Sequence, residues 1–466
     1  MNEIRIISSY PPRACGIATF SANLANSFEH FREDVGQIRV AAIDSDRAAY
    51  DTPVDLVIDQ YSSDSWRRAT EQIIARSREQ VDCPVVLMQH EYGLDTGPDR
   101  AEARGRNFIE TAAELRTNGI MTFVYLHTVL DQPDSHQKEV LQMLGETCDG
   151  LLVPTVSAVD MLESCVYSIA RQKVKHIDHG IRMQNPSQYD RLEIKKDWGL
   201  EDCFLVCTPG LHSPGKGLQF SIPAYARFLE QSCTSRQRSR LVYLIAGTFH
   251  PGFVNAEDGR LYREYRATLD QVLNDSGVTH CTIHEMSAIN PAEYDVVFLD
   301  EYLSDRMLLS LYAASNAILM PYLNMQQISS GILADTLGCG RVAIATKFRY
   351  AVEMLNPRRQ APEGLILDPS VRGILVDPGE KSVDHMAQAL DYVVFNHEER
   401  LAMERRAHAR GHQMRWDNAA WQLLQHMEFV RERRDKVTGR GPEFTRAKAS
   451  MLQMRRDAPA ESSNQG

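Results

Sequence analysis

Short uninterrupted apolar runs, each followed by a longer stretch of helical periodicity, recur along this chain. They restart after a polar break, and this rhythm limits the fold more than any other feature. Residues 4–8, 38–43, 85–89, 122–126 and 151–153 read as strands apolar on both faces, with helical stretches such as 20–31 and 65–80 between them. A strand with no polar face belongs in a parallel sheet that helices cover on both sides. A further short strand is expected at 174–181. The polar stretch 182–190, which contains Pro186, reads as a linker. The pattern resumes with strands at 204–207, 241–246, 296–299, 317–320 and 342–345 and helices at 219–231, 260–275 and 305–314.

The 466 residues are too many for one hydrophobic core. The expected architecture is therefore α/β with two Rossmann-like domains, 1–183 and 197–395, facing a central cleft. Helices over 396–434 are expected to return to the N-terminal domain, with Trp416 in the packing. The segment 435–466 is polar and without periodicity, and reads as a disordered tail.

Composition excludes several classes. A formal net charge of -11 lacks the basic surplus of a duplex nucleic-acid binder, so no nucleic-acid partner is expected. The nine cysteines include no Cys-x-x-Cys pair, which argues against a disulfide framework or a structural zinc. His90-Glu91 does not continue into an HExxH helix. The start MNEIRIISSYPP has neither the basic opening nor the apolar run of a secretory leader, and no stretch reaches the roughly 18 apolar residues of a spanning helix. The expectation is a cytoplasmic protein without a transmembrane segment, for which peripheral contact with a membrane stays open.

Ligands of open parallel sheets bind beyond the carboxyl ends of the strands, so the loops there carry the chemistry. The loop 208–217 follows a strand and precedes a helix. Its sequence TPGLHSPGKG matches the start of a P-loop from Gly210 through Gly215 to Lys216, but Gly217 stands where a magnesium-binding Ser or Thr belongs. The loop is either a diphosphate cradle of amides and one ammonium or an ordinary strand-to-helix turn. The second loop, 320–331, ends in Ser329-Ser330-Gly331, whose hydroxyls and approachable amides suit an anion. Asp335, one turn later, is placed to accept hydrogen bonds from a ribose diol. A helix cap and a first-turn acid would explain the same residues. Two anion-ready helix starts in one domain favour the binding site. His90 and Glu91, ending a buried strand, read either as acceptor-binding residues or as structural ones. His179 and Gly180 read as a hinge, and Tyr302 or Leu303 as packing against a nucleobase.

Taken in order, YPPRACGIATF, MQHEYG, YLHTV, TPGLHSPGKGLQ, LIAGTFHP, FLDEYLSD and PYLNMQQISSGILADTLGCGRVAIAT resemble glycosyltransferase family 4, closest to its mannosyltransferase-like branch, over roughly residues 3–425. The resemblance implies a GT-B fold and retaining transfer of a sugar, with GDP-mannose as the favoured nucleotide-diphosphate donor and a carbohydrate or glycolipid hydroxyl as acceptor. It implies no metal and no other cofactor. By position, Lys216 corresponds to the diphosphate lysine. Gln327 and Asp335 correspond to the family's pair of acids, His127 to the histidine near the donor sugar, and Gly16 to the N-terminal loop glycine. Gly210, His212, Gly215, Ser329, Ser330 and Gly331 complete the donor site, and Arg13, His90 and Glu91 fall on the acceptor side. The chain departs from the family where Leu211 and His212 replace an Arg and where Gln327 and Asp335 replace two glutamates. A protonated His212, or Arg13, is the candidate substitute for the missing charge. A sugar phosphorylase on the same scaffold and a weakened nucleotide-sugar sensor are the alternative readings.

Overall fold

The structure, a computed structural model, describes residues 1–13, 15–45, 47–80, 83–95, 105–182, 189–286 and 289–438. The chain divides into two compact units. One comprises Met1–Gly180 together with the segment that starts at Trp416; the other is Ile181–Arg415.

The first unit holds a seven-stranded sheet of β1 (Glu3–Ser8), β2 (Gln37–Asp44), β3 (Val54–Asp59), β4 (Val85–His90), β5 (Met121–Leu126), β6 (Gly150–Val153) and β7 (Val174–His176). Their order is β3-β2-β1-β4-β5-β6-β7. Every pairing is parallel. Strands β1, β4 and β5 are buried along their whole length, and the charged Arg5 of β1 is buried as an ion pair with Glu3 and Asp55. The second unit repeats the plan with β8 (Phe204–Pro209), β9 (Leu241–Ala246), β10 (His280–Ile283), β11 (Val296–Leu299), β12 (Ala317–Met320), β13 (Val342–Thr346) and β14 (Ile374–Val376). These are ordered β10-β11-β9-β8-β12-β13-β14 and are again all parallel. In each unit the first strand is central and the chain winds away from it in both directions. The strand order therefore reverses beside β1 and beside β8, which opens a crevice at the carboxyl edge there.

Three strands escape the apolar-run criterion, and each lies at a sheet margin. Edge strand β3 exposes Val57 and Asp59, edge strand β10 exposes His280 and Thr282, and β14 has three residues. The strand expected at 174–181 stops at His176. The helix Gly16–Phe28 starts earlier than periodicity placed it, directly at the end of the β1 loop. Most of the expected linker, 183–188, lies outside the described residues, while Arg191–Asp197 forms a helix of the second unit.

The C-terminal helices differ from the sequence expectation. His397–Gln413 stays in the second unit against Gly331–Gly338, where a β-carbon on Gly411 would come 2.8 Å from Gly338 Cα. Only the helix beginning at Trp416 belongs to the first unit, where it packs on Gly16–Phe28. It runs to Thr438, so the start of the expected tail is helical, and 439–466 lies outside the described residues.

Trp416 is the anchor of that helix. It is 7% exposed, meets Phe20 edge-on at 4.8 Å, and lies so close to Gly180 that a β-carbon there would be 2.1 Å from the indole. Trp416→Ala is expected to cost about 3–5 kcal/mol of the first unit's stability. Gly180→Ala is expected to destabilise by displacing the ring. Guanidinium unfolding of the variants tests this; unchanged midpoints would show that the indole does not hold the helix.

Candidate functional site

In the second unit the loops after β8 and β12 flank the crevice, and small residues lock them together. Beyond β8 the chain continues its ladder with the β9 loop. Gly210 N–H bonds to Ala246 O and His212 N–H to Thr248 O, each at 2.9 Å. Gly210 has φ 111° and Gly247 φ 127°, and a β-carbon on Gly247 would lie 2.1 Å from Gly210 O. A β-carbon on Gly210 would meet Ile332 Cδ1 at 3.2 Å, so this loop lies against the first turn of Gly331–Gly338. At Gly217 the backbone turns left-handed, φ 70°, and a β-carbon would fall 1.9 Å from Pro321 O. Only glycine permits both that conformation and that approach.

Lys216 is positioned by this contact. Leu323 N–H bonds to Gly215 O at 2.9 Å, and Lys216 Nζ sits 3.9 Å from the ring centroid of Tyr322. Tyr322 is 2% exposed and stacks on Phe348. The cation–π contact holds the ammonium without neutralising it. The Lys216 backbone N–H bonds to Ser213 O at 2.9 Å, while its ammonium has no hydrogen-bond or ion-pair partner among the described residues.

The β12 loop is equally fixed. Gln327 Nε2 donates to Ser329 O at 2.6 Å, and Gln327 O accepts from Tyr350 N–H. A glutamate there could not donate to that carbonyl, which gives a local reason for the amide. Ser330 caps the helix, its Oγ accepting from Leu333 N–H at 3.3 Å. The first amides of the helix, at Gly331 and Ile332, have no acceptor among the described residues. Asp335 is already engaged, with Oδ2 3.4 Å from a nitrogen of Arg182. Arg182 was not legible as a site residue because it sits in a polar stretch that reads as linker.

His212 does not supply the missing cation. It is 2% exposed, and burial, helped by the charge of Lys216, pushes its pKa down to about 3, so it is neutral near pH 7. The Arg13 guanidinium is held within the first unit by Gln60 Oε1 at 2.8 Å and Ile43 O at 3.3 Å.

In the first unit Gly16 opens a helix whose N-cap, Cys15, makes no side-chain cap bond. A β-carbon on Gly16 would meet nothing within 4 Å. One turn on, Phe20 lies edge-on to His127 at 4.8 Å and to His179 at 5.1 Å. His127 Nε2 is 2.8 Å from the fully buried Gln89 Oε1. Burial pushes the His127 pKa down to about 3, so the neutral ring donates from Nε2 and keeps Nδ1 as an acceptor. His179 borders His127 and Trp416 and is part of this cluster, a neighbourhood that sequence distance conceals.

His90 and Glu91 depart from the expected acceptor role. His90 is 0% exposed, packed edge-on against Tyr92 and Phe108, and neither ring nitrogen has a partner among the described residues. Glu91 accepts from the Thr128 hydroxyl at 2.6 Å and from Tyr92 N–H at 3.0 Å, capping the turn Tyr92–Leu94. Both residues shape the edge of β4 from within. Tyr302 is 62% exposed and Leu303 is buried, so of the expected base-packing pair only Tyr302 presents a free face.

No family model matches the chain, and no curated protein matches it in sequence. Solved structures do match. HepE from Anabaena in complex with UDP superposes with a TM-score of 0.65 at 15% identity, covering 92% of this chain and 100% of that one. An α,α-trehalose-phosphate synthase (UDP-forming) from Burkholderia xenovorans in complex with glucose-6-phosphate gives 0.62 at 15% identity over 92% and 100%. Trehalose-6-phosphate synthase OtsA gives 0.63 at 13% over 92% and 99%. The chain thus belongs to the class of α/β proteins built from two Rossmann-like units. More particularly, it has the GT-B fold of glycosyltransferases.

The buried histidines predict an acid sensitivity. The His90 pKa is pushed down by burial to about 3 from 6.5. The unfolded chain therefore takes up that proton first, and the stability contribution is present above pH 6.5 and lost as pH falls towards 3. His90→Leu should lower the slope of Tm against pH on the acid side while leaving Tm near pH 8 similar or higher. Identical slopes would contradict the buried neutral ring.

Proposed function

We propose that this chain is a glycosyltransferase that moves a hexose from a nucleoside-diphosphate sugar to an acceptor hydroxyl, with the second unit binding the donor. The observation that carries the reading is Lys216. It is an ammonium without an anionic partner among the described residues, fixed over Tyr322 at the crevice where the strand order reverses. The uncapped amides at the start of Gly331–Gly338 belong to the loop locked against it. Together they offer a diphosphate one positive charge and aligned N–H donors. As the sugar–phosphate bond breaks, charge grows on the diphosphate oxygens, and groups already oriented there stabilise it without a metal.

Gln327, whose side-chain oxygen has no partner among the described residues, offers it to a sugar hydroxyl, and Asp335 accepts from the ribose. His127, neutral and with Nδ1 left as an acceptor, suits a sugar hydroxyl. The reaction is proposed to retain anomeric configuration, the acceptor attacking from the leaving-group face and passing its proton to a phosphate oxygen. The motif order favours GDP-mannose as donor. The UDP and glucose bound to HepE favour UDP-glucose, so both are tested. The sensor reading has one observation behind it, the amide at Gln327, and predicts binding without turnover.

A thermal-shift screen of GDP-, UDP- and ADP-sugars should raise Tm for one donor class. Lys216→Ala should weaken that donor by about 10–100-fold, the loss of one charge-assisted bond of roughly 1.5–3 kcal/mol, and abolish transfer. Unchanged binding and turnover in Lys216→Ala would sink the assignment.

A further inference from the structure

Arg182 is a charged residue that the proposed transfer does not use, and its placement is specific. Ile181 N–H bonds to Met414 O at 2.9 Å, and the two residues 181–182 run across Gly338, where a β-carbon would come 2.6 Å from Ile181 Cδ1 and 3.4 Å from Arg182 O. From there the Arg182 side chain, 19% exposed, reaches carboxylates on two helices. It lies 2.8 Å from Asp305, at the start of Asp305–Ala314, and 3.4 Å from Asp335 in Gly331–Gly338. Asp305 is 65% exposed and Asp335 14%, so the guanidinium is tethered at the surface and reaches inward to a carboxylate nearly out of water.

The groups facing Asp335 are Arg182, Asp305, the Tyr312 hydroxyl from Asp305–Ala314, and Cys339 at the far end of its own helix; Arg341 faces Cys339. Tyr312 is fully buried and its hydroxyl has no partner among the described residues. Among the described residues, Arg182 is the cation that touches Asp335. Burial, with Asp305 adding to it, holds the Asp335 carboxyl above its ordinary value, and Arg182 limits that rise through its charge and hydrogen bonds.

We propose that Arg182 is a positioning residue that keeps Asp335 an oriented anion, ready to accept both hydroxyls of the donor's ribose. This rests on the nucleotide site proposed above. A carboxylate accepts at both oxygens, whereas a protonated acid turns one into a donor and loses that diol geometry. Without Arg182 the buried carboxylate would face Asp305 uncompensated, and protonation would be its cheaper state.

The test compares the full chain with R182M, R182K, D335N and R182M/D335N. Titration calorimetry with UDP-glucose and GDP-mannose would run from roughly pH 5.5 to 8.5. Wild type and R182K should bind with little pH dependence. R182M should lose affinity by up to about tenfold per pH unit on the acid side and regain it at alkaline pH, and D335N should bind weakly at every pH. Equal weakening of R182M at all pH values, or affinity like wild type throughout, would overturn the proposal.

Tm without ligand gives an independent readout. In R182M the folded pKa of Asp335 lies above its unfolded value, so the penalty is absent in acid and grows as pH rises. The Tm of R182M should therefore fall relative to R182M/D335N with increasing pH; parallel curves would refute the role. If wild type bound neither donor, the nucleotide reading would fail, while this Tm comparison would still decide whether Arg182 governs the charge of Asp335.

Discussion

The approach of Gly217 to the carbonyl of Pro321 is the contact on which the proposed donor site of the second unit depends. It lets the loop after β8 lie on the loop after β12 with no side chain between them. Every later feature follows from that. Gly215 accepts from Leu323, Lys216 comes to rest over Tyr322, and Gly210 reaches the first turn of Gly331–Gly338. Two loops separated by about a hundred residues in sequence thus form one surface of amides and one ammonium. Parallel strand order brings the loops near each other, and the glycines set how closely they meet.

Much of this architecture was legible because buried parallel strands are continuous apolar runs. Strands β1, β2, β4, β5, β8, β9, β12 and β13 announce themselves in that way, and so do helices Arg260–Asp275 and Asp305–Ala314, found at their expected bounds. Strands β3, β10 and β14 did not, because a marginal strand carries polar residues or too few residues to show a pattern. Helix His397–Gln413 was misplaced for a related reason. Periodicity reports that a helix buries one face and says nothing about which partner covers it.

The site was legible in part. The loop around Lys216 and the helix start at Ser330 stand out from glycine, lysine and serine spacing. Burial depth does not, and it changes the role of several residues. Burial pushes the pKa of His212, His90 and the partly exposed His127 well down, so none contributes the positive charge that a free histidine could. Partners distant in sequence were also hidden. Arg182 meets Asp335, Tyr322 holds Lys216, and Ser329 O explains the amide of Gln327. None of these follows from spacing.

The central claim, that the paired loops of the second unit hold a diphosphate, is tested most directly by a crystal structure of the chain with UDP or GDP bound. The account predicts phosphate oxygens within about 3 Å of Lys216 Nζ and of the amides at Gly331 and Ile332. A nucleotide bound elsewhere, with Lys216 still resting on Tyr322 and those amides untouched, would contradict it.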